Sequence, residues 1–371
     1  MKITTSIKHT NKKNILALGA ESAGNFSVFK NGEIYFSEDF GDLLEETNWE
    51  NYQISVLTYL KTNQIKPEII LTDLHPLYKT TTWGKELAKK YHAKLLPIQH
   101  HHAHIFSVIG DKMLYSKSYK SKTTNYGIAM DGTGYGTDEK IWGGEVFKVK
   151  GKEILRIGHL ENQIILGGDL AVKEPARMLI GVLSKILSNK EIYPFIRKYY
   201  TRNQFELLYN QLSQNFNCQE TSSTGRILDA VSLLLGFCNN ERKHKHEPIN
   251  LLEKNSTVPY SDLIPKIIFD EKEKIYILQT TPLFKYLIKN INKDKKKLAA
   301  TAQLYIAKGL YEIIKLKTKS QKPETFFISG GISNNKIISS FLESKGAYVN
   351  KKIQRGDAGL SFGQVVKYLL N

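Results

Sequence analysis

The sequence predicts a two-lobed α/β protein made from a duplicated βββαβαβα unit, with a helical insertion in the second copy. Three observations carry this expectation. Short strand-like stretches at 15–20, 25–30 and 33–38 precede an alternation of helix-like and strand-like segments. The same order recurs from residue 126 onward. Both copies also open on a strand that runs into glycine, as an internal duplication would.

In the first copy, Asn31-Gly32 between the second and third strands is the strongest short hairpin signal a sequence offers. A helix follows at about 48–63, with Tyr52, Val56, Leu57 and Leu60 at helical spacing. Strand 68–73 stops before Pro76, and helix 83–91, strand 94–98 and helix 99–111 complete the unit. The second copy begins with strands 126–131, 141–148 and 153–159, the last two joined through Val149-Lys150-Gly151-Lys152. It resumes with helix 298–316, strand 325–329, helix 334–345, strand 347–350 and helix 358–370. The expected organisation is a basic tail at 1–13, an N-terminal lobe at 14–124 and a C-terminal lobe at 125–371. A mostly helical insertion occupies about 173–295. A ligand is expected in the cleft between the lobes.

Composition narrows the class. The chain has 371 residues, enough for two lobes with substantial cores. No run approaches the ~18 apolar residues of a membrane span, and the basic first residues lack the apolar core of a secretory signal. Two cysteines, Cys218 and Cys238, without metal-ligand spacing, point to a reducing, cytoplasmic setting. The net charge of +17 is carried by scattered lysines with no arginine–aromatic interleaving, which favours a solvated surface over a nucleic-acid groove.

The densest chemical feature is Gln99-His100-His101-His102-Ala103-His104. On a helix His100 and His104 share a face one turn apart, so two imidazoles can reach one metal, while His101 and His102 point elsewhere. A carboxylate would complete such a site. Asp131, delivered by the apolar run 128–130 into Gly132-Thr133-Gly134-Tyr135-Gly136, is one candidate, and Asp357 in Arg355-Gly356-Asp357-Ala358-Gly359 is another. Histidines with carboxylates suit iron or zinc better than magnesium. Three more glycine-bearing turns precede helices: Gly167-Gly168-Asp169, Thr221-Ser222-Ser223-Thr224-Gly225-Arg226 and Ser329-Gly330-Gly331 with Asn334 and Asn335. Singly, each reads as an ordinary helix cap; together they suggest backbone contacts to an anion.

These motifs, taken in order with Leu71-Thr72-Asp73-Leu74-His75-Pro76, Trp142-Gly143-Gly144-Glu145 and Gly363-Gln364, resemble the carbamoyltransferase domain of the HypF family. That family matures nickel–iron hydrogenases, and its domain is similar to TsaD in the actin-like ATPase superfamily. The resemblance covers about residues 14–371. It implies two ribonuclease-H-like lobes and a carbamoyl-adenylate, or related ATP-derived nucleotide, bound between them. The carbamoyl group would pass to the C-terminal cysteine of a HypE-like partner. Mapped onto this sequence, His100, His104 and Asp131 would be catalytic. The same three with Asp357 would hold a divalent metal (iron or zinc, with magnesium a further option). Gly132, Thr133, Gly134, Gly168, Asp169, Gly330, Gly331 and Asn335 would line the nucleotide.

Three departures from the family pattern stand out. Ala23-Gly24 replaces a Lys-Asn pair, Ala358 replaces a glycine, and Lys245 stands where the family has a ribose-binding glutamate. The chain has no room for the family's acylphosphatase, zinc-finger and YrdC-like domains, so a separate YrdC-domain protein is expected to supply the adenylate. The alternatives are a TsaD-like or O-carbamoyltransferase-like enzyme acting on tRNA or a small molecule, and a non-catalytic nucleotide-binding partner.

Overall fold

In the computed structural model, residues 3–6, 11–115, 123–168, 170–318 and 326–370 are described. The chain opens with β1 (Ile3–Ser6), β2 (Ile15–Ala17), β3 (Ser27–Lys30) and β4 (Glu33–Phe36), followed by α1 (Glu46–Thr62). Then come β5 (Ile69–Asp73), α2 (Lys79–Tyr91), β6 (Lys94–Ile98) and α3 (His100–Tyr115). The sheet order is β1-β4-β3-β2-β5-β6. β2, β3 and β4 are antiparallel, whereas β2, β5 and β6 run parallel. The central strands β2 and β5 are buried throughout, as their uninterrupted apolar runs require.

The second lobe begins with β7 (Thr124–Tyr135), β8 (Ile141–Lys150), β9 (Glu153–Leu160) and β10 (Gln163–Leu166). The chain continues through α4 (Leu170–Lys173), α5 (Pro175–Leu183), α6 (Asn189–Ile196), α7 (Arg202–Ser213), β11 (Cys218–Thr221), α8 (Thr224–Leu234) and α9 (Glu247–Lys254). A hairpin of β12 (Ile267–Asp270) and β13 (Ile275–Leu278) leads to α10 (Thr281–Lys289) and α11 (Lys295–Lys317). The lobe closes with β14 (Phe326–Ser329), α12 (Lys336–Ser344), β15 (Ala347–Tyr348) and α13 (Leu360–Leu369). Its sheet runs β12-β13-β9-β8-β7-β14-β15. Antiparallel β7–β8–β9 and parallel β7–β14–β15 repeat the first lobe's pattern, so both ribonuclease-H-like lobes are present.

The structure corrects several expectations. The start of the chain is more than a basic tail, because β1 pairs with β4 and extends the first sheet. The segment 173–295 is mostly helical and also carries short strands: β11 pairs with β10 and β8, and the β12–β13 hairpin adds to the sheet through β9. Its strands are short and half-polar, which hid them among stronger helical signals. Most consequentially, β7 does not end at Asp131. It runs on to Tyr135 across a register shift between Met130 and Gly134, so Asp131 sits in a bulge of a continuous strand.

The lobes meet along α3 and α13. α3 is buried on nearly every face, as befits a helix wedged between a sheet and another helix. At Gly363 the crossing is so close that a Cβ would lie 1.9 Å from the Ala103 carbonyl, which explains glycine there. Gln364 closes the joint by exchanging two hydrogen bonds with the Gly19 backbone, at 3.0 and 3.1 Å. Farther along α3, the fully buried Asp111 carboxylate accepts the N–H groups of Lys351, Lys352 and Ile353 and the Tyr348 hydroxyl. That one side chain fixes the segment leading to Asp357.

Asp111→Ala leaves three backbone donors without their acceptor, that of Ile353 buried and those of Lys351 and Lys352 partly so, and is expected to cost about 2 kcal/mol. A lower urea midpoint at unchanged slope is the expected result.

Candidate metal and nucleotide site

Three local structures bring the site together. α3 starts directly after β6, so its first turns emerge at the carboxyl end of the first sheet. The β7 bulge delivers Asp131, and a one-turn helix at Asp357–Gly359 delivers Asp357 just before α13. One ligand atom from each of His100, His104, Asp131 and Asp357 lies within 4.8 Å of the others. His100 Nε2 and His104 Nε2 stand 3.2 and 3.0 Å from Asp131 Oδ2, and 3.7 and 3.4 Å from Asp357 Oδ1. The helical spacing therefore does bring the two imidazoles together. Both candidate carboxylates meet them.

The charge distribution fits a cation. Burial alone would lower the pKa of His100 and of His104, but the surrounding carboxylates outweigh it and raise both. Burial pushes Asp131 and Asp357 up, yet contact with the imidazoles holds Asp131 below the usual carboxylate range, and the Lys245 ammonium, ahead of the imidazoles, holds Asp357 there. Without a metal, protons on the imidazoles carry the positive charge that a divalent ion would bring. The imidazole nitrogens and carboxylate oxygens are the donor set of borderline metals.

Asp73 was not singled out from sequence as a site residue. It is fully buried at the end of β5, and its Oδ2 lies 2.7 Å from His100 Nδ1. Its other oxygen accepts the His75 N–H at 2.9 Å. A carboxylate behind a histidine fixes the tautomer and ring orientation of a metal ligand. The available signal was an acid at a strand end, three residues ahead of a stopped strand's proline. His104 Nδ1 has no hydrogen-bond partner among the described residues. His101 is buried with its ring 5.4 Å from that of His100, and His102 is half-buried against Phe147; burial lowers the pKa of each to about 3, which favours neutral rings.

The Asp131 bulge is braced from below. Gly132 N–H donates to Asp131 Oδ1 at 2.7 Å, and Ser223, the cap of α8, donates its hydroxyl to the Gly132 carbonyl at 2.5 Å. Glu145 is fully buried beneath this bulge. It accepts the N–H groups of Gly143 and Gly144, the Ser222 hydroxyl at 2.5 Å and Arg156 Nε at 2.6 Å. Burial pushes its pKa up, but the Arg156 guanidinium outweighs this and holds it at about 2. Arg156 itself stacks 3.9 Å above the Trp142 ring.

A cavity of about 310 Å³ opens over the cluster, lined from both lobes. Ser22, Ala23 and Asp39 form one wall; Lys245, His246 and Ile249 at the start of α9 form the other. Gly331 and Asn335, both expected nucleotide contacts, line it. The Asn335 side chain, however, is engaged elsewhere: it caps α12 through Ile338 N–H and donates to Gln303. Gly330 is required by its φ of +92° and its contact with the Met130 carbonyl. Gly134 packs against the rings of His100 and His101, Thr133 is exposed, and Gly132 faces the Arg226 guanidinium. Gly168 lies against Asn217, and Asp169 lies outside the described residues. Next to Ala23-Gly24, the Asn25 amide donates to the Asp357 carbonyl at 3.1 Å.

Comparison with known proteins bears on this site. Residues 10–111 match the family described as the HypF Kae1-like domain. Residues 127–364 match the one described as carbamoyltransferase, Kae1-like domain, second subdomain. The probable carbamoyltransferase HypF of Methanocaldococcus jannaschii is 37% identical over 373 residues, covering 97% of this chain and 47% of its own. A carbamoyltransferase HypF homolog of Cupriavidus necator is 26% identical over 364 residues, covering 94% and 90%. Full-length HypF solved in a phosphate- and nucleotide-bound form superposes with a TM-score of 0.87 at 26% identity, over 98% of this chain and 47% of that one. HypF of T. kodakarensis gives 0.87 at 30% identity, over 99% and 49%. The chain thus spans about half the length of most of these relatives, and nearly all of the shorter Cupriavidus homolog.

Asp73→Asn is expected to weaken cobalt(II) binding about 10- to 100-fold, measured by calorimetry, with little change in fold. Glu145→Gln separates a structural carboxylate from the cluster. Because the folded pKa lies below the unfolded value, its contribution is full above about 4.5 and fades as pH falls toward about 2. The variant should be less stable by about 3 kcal/mol at pH 7. That gap should narrow through this acid window in denaturant titrations.

Proposed function

The chain belongs to the HypF Kae1-like carbamoyltransferase domain family, and from that premise we propose that it transfers a carbamoyl group from carbamoyl-adenylate in the interlobe cavity to a cysteine thiolate of a partner. The acceptor is the C-terminal cysteine of a HypE-like protein in hydrogenase maturation, in the cytoplasm. The observation that carries this reading is the convergence of His100, His104, Asp131 and Asp357 on one point at the floor of the cavity. The cavity has the volume of a small-molecule site and walls from both lobes.

In the reaction the thiolate attacks the carbamoyl carbon, a C–S bond forms, and the C–O bond to phosphate breaks so that AMP departs with the electron pair. His100, His104, Asp131 and Asp357 would hold a divalent ion, which would supply positive charge to offset the negative charge that grows on the leaving phosphate. The rest falls to the chain. Asp73 orients His100, Gly132 and Ser223 hold the Asp131 bulge, and Asp111 holds the approach to Asp357. Orientation of an already activated anhydride removes much of the barrier.

The chain's own thiols support an external acceptor. Burial raises the Cys238 pKa to about 11 and raises that of Cys218 as well, so neither is a ready thiolate at neutral pH. No helix among the described residues is long and apolar enough to cross a membrane.

The test is reconstitution with a YrdC-domain adenylate-forming protein, carbamoyl phosphate, ATP and a HypE-like acceptor. Mass spectrometry should show one carbamoyl group on the acceptor's last cysteine, absent with His104→Ala. Carbamoyl label on tRNA or on a small metabolite instead would move the chain to a TsaD-like or O-carbamoyltransferase-like reaction.

A further inference from the structure

Lys245 stands in an unusual place. Its ammonium lies 3.6 Å from Asp357 Oδ2, the carboxylate whose other oxygen faces both imidazoles. The side chain is half exposed, on the cavity wall at the approach to α9. No other salt-bridge partner of Lys245 occurs among the described residues. Arg355 also lines the cavity, and its guanidinium is spent on the carbonyls of Ser333 and Asn350, with no carboxylate partner among the described residues.

Coulomb's law gives this arrangement a consequence. A divalent ion at the cluster and an ammonium one carboxylate away repel each other across a few ångströms of partly desolvated space. The ammonium loses much of its hold on Asp357 once that carboxylate coordinates a metal. An anion placed between metal and ammonium removes the conflict, because each cation then binds it. Arg355, which also lines the cavity and has no carboxylate partner among the described residues, adds positive charge there even while its N–H groups serve backbone carbonyls.

We infer that Lys245 couples the cation site to a phosphate in the cleft: it disfavours the metal when no phosphate is present and favours it once one is bound. The coupling is reciprocal, so the metal must strengthen phosphate binding by the same factor. The anion is the phosphate of a nucleoside monophosphate, or of an acyl ester of one. This rests on the metal and nucleotide reading above and gives Lys245 a role of its own within it.

Cobalt(II) titrations of the full chain by calorimetry, alone, with AMP and with adenosine, test the coupling. In the native protein AMP should tighten cobalt binding about tenfold, within the usual range of coupling between sites, and adenosine should not. Lys245→Met should bind cobalt more tightly than the native protein when no nucleotide is present, and should lose most of the AMP effect. Lys245→Arg should retain it. Equal cobalt affinities and an equal AMP effect in native and Lys245→Met proteins would overturn the coupling while leaving the metal site intact. Absence of cobalt binding in every variant would overturn both the coupling and the metal reading. Unchanged circular dichroism of the variants excludes misfolding as the source of a difference.

Discussion

The Asp111 carboxylate never touches the cleft, yet the site depends on it. It gathers three consecutive N–H groups and a tyrosine hydroxyl onto the buried flank of α3. One end of that helix carries His100 and His104; the pinned segment leads to Asp357. Two ligands from a helix and one from a distant loop are thereby referred to the same rigid element. Asp131 joins them through its own braced bulge. A cluster of four side chains drawn from segments this far apart in sequence needs such a common reference, since loop positions alone would not hold them to the tolerance that binding a cation would require.

Much of this was legible in the residues. The hairpin at Asn31-Gly32, the apolar runs of β2, β5 and β7, and the i,i+4 histidine pair each have a local cause, and local causes are what a sequence displays. Asp73 and Asp111 escaped because their roles are made of long-range contacts: each is an acid with no local partner for that role until the fold supplies one. The strands β10 to β13 escaped for a related reason. They are only four residues long, and their pairing is justified by an existing sheet edge, which no local pattern reveals. The glycine-rich stretch after Asp131 was misread as a loop, because glycine weakens a strand on average; here it permits the close approach of β8 and of the histidine rings.

The expected nucleotide contacts divide on physical grounds. Gly331 faces the cavity with its backbone free to approach a ligand, whereas Gly134 and Gly330 are glycine because neighbouring atoms leave no room for a Cβ. Asn335 lies at the cavity, but its amide serves a helix cap and a glutamine. Lys245 belongs to neither group. Its ammonium sits 3.6 Å from the Asp357 carboxylate of the cluster, where its charge bears on any cation placed there.

The split second copy has a consequence for how the molecule reaches this state. Residues 126–129 of β7 pair with 326–329 of β14, and α13 docks on α3 and on Gly19, contacts that must wait until the segments after the insertion have been made. Pairings of such long sequence separation form late, because the loop entropy must be lost before the contacts form. On a ribosome the first lobe is complete in sequence while its interlobe face is still bare, and β7 waits without its parallel neighbour. Asp357 emerges last of the four ligands. The four-residue cluster is therefore assembled only once Asp357 has been made, and a product stalled before it carries His100, His104 and Asp131 without the second carboxylate.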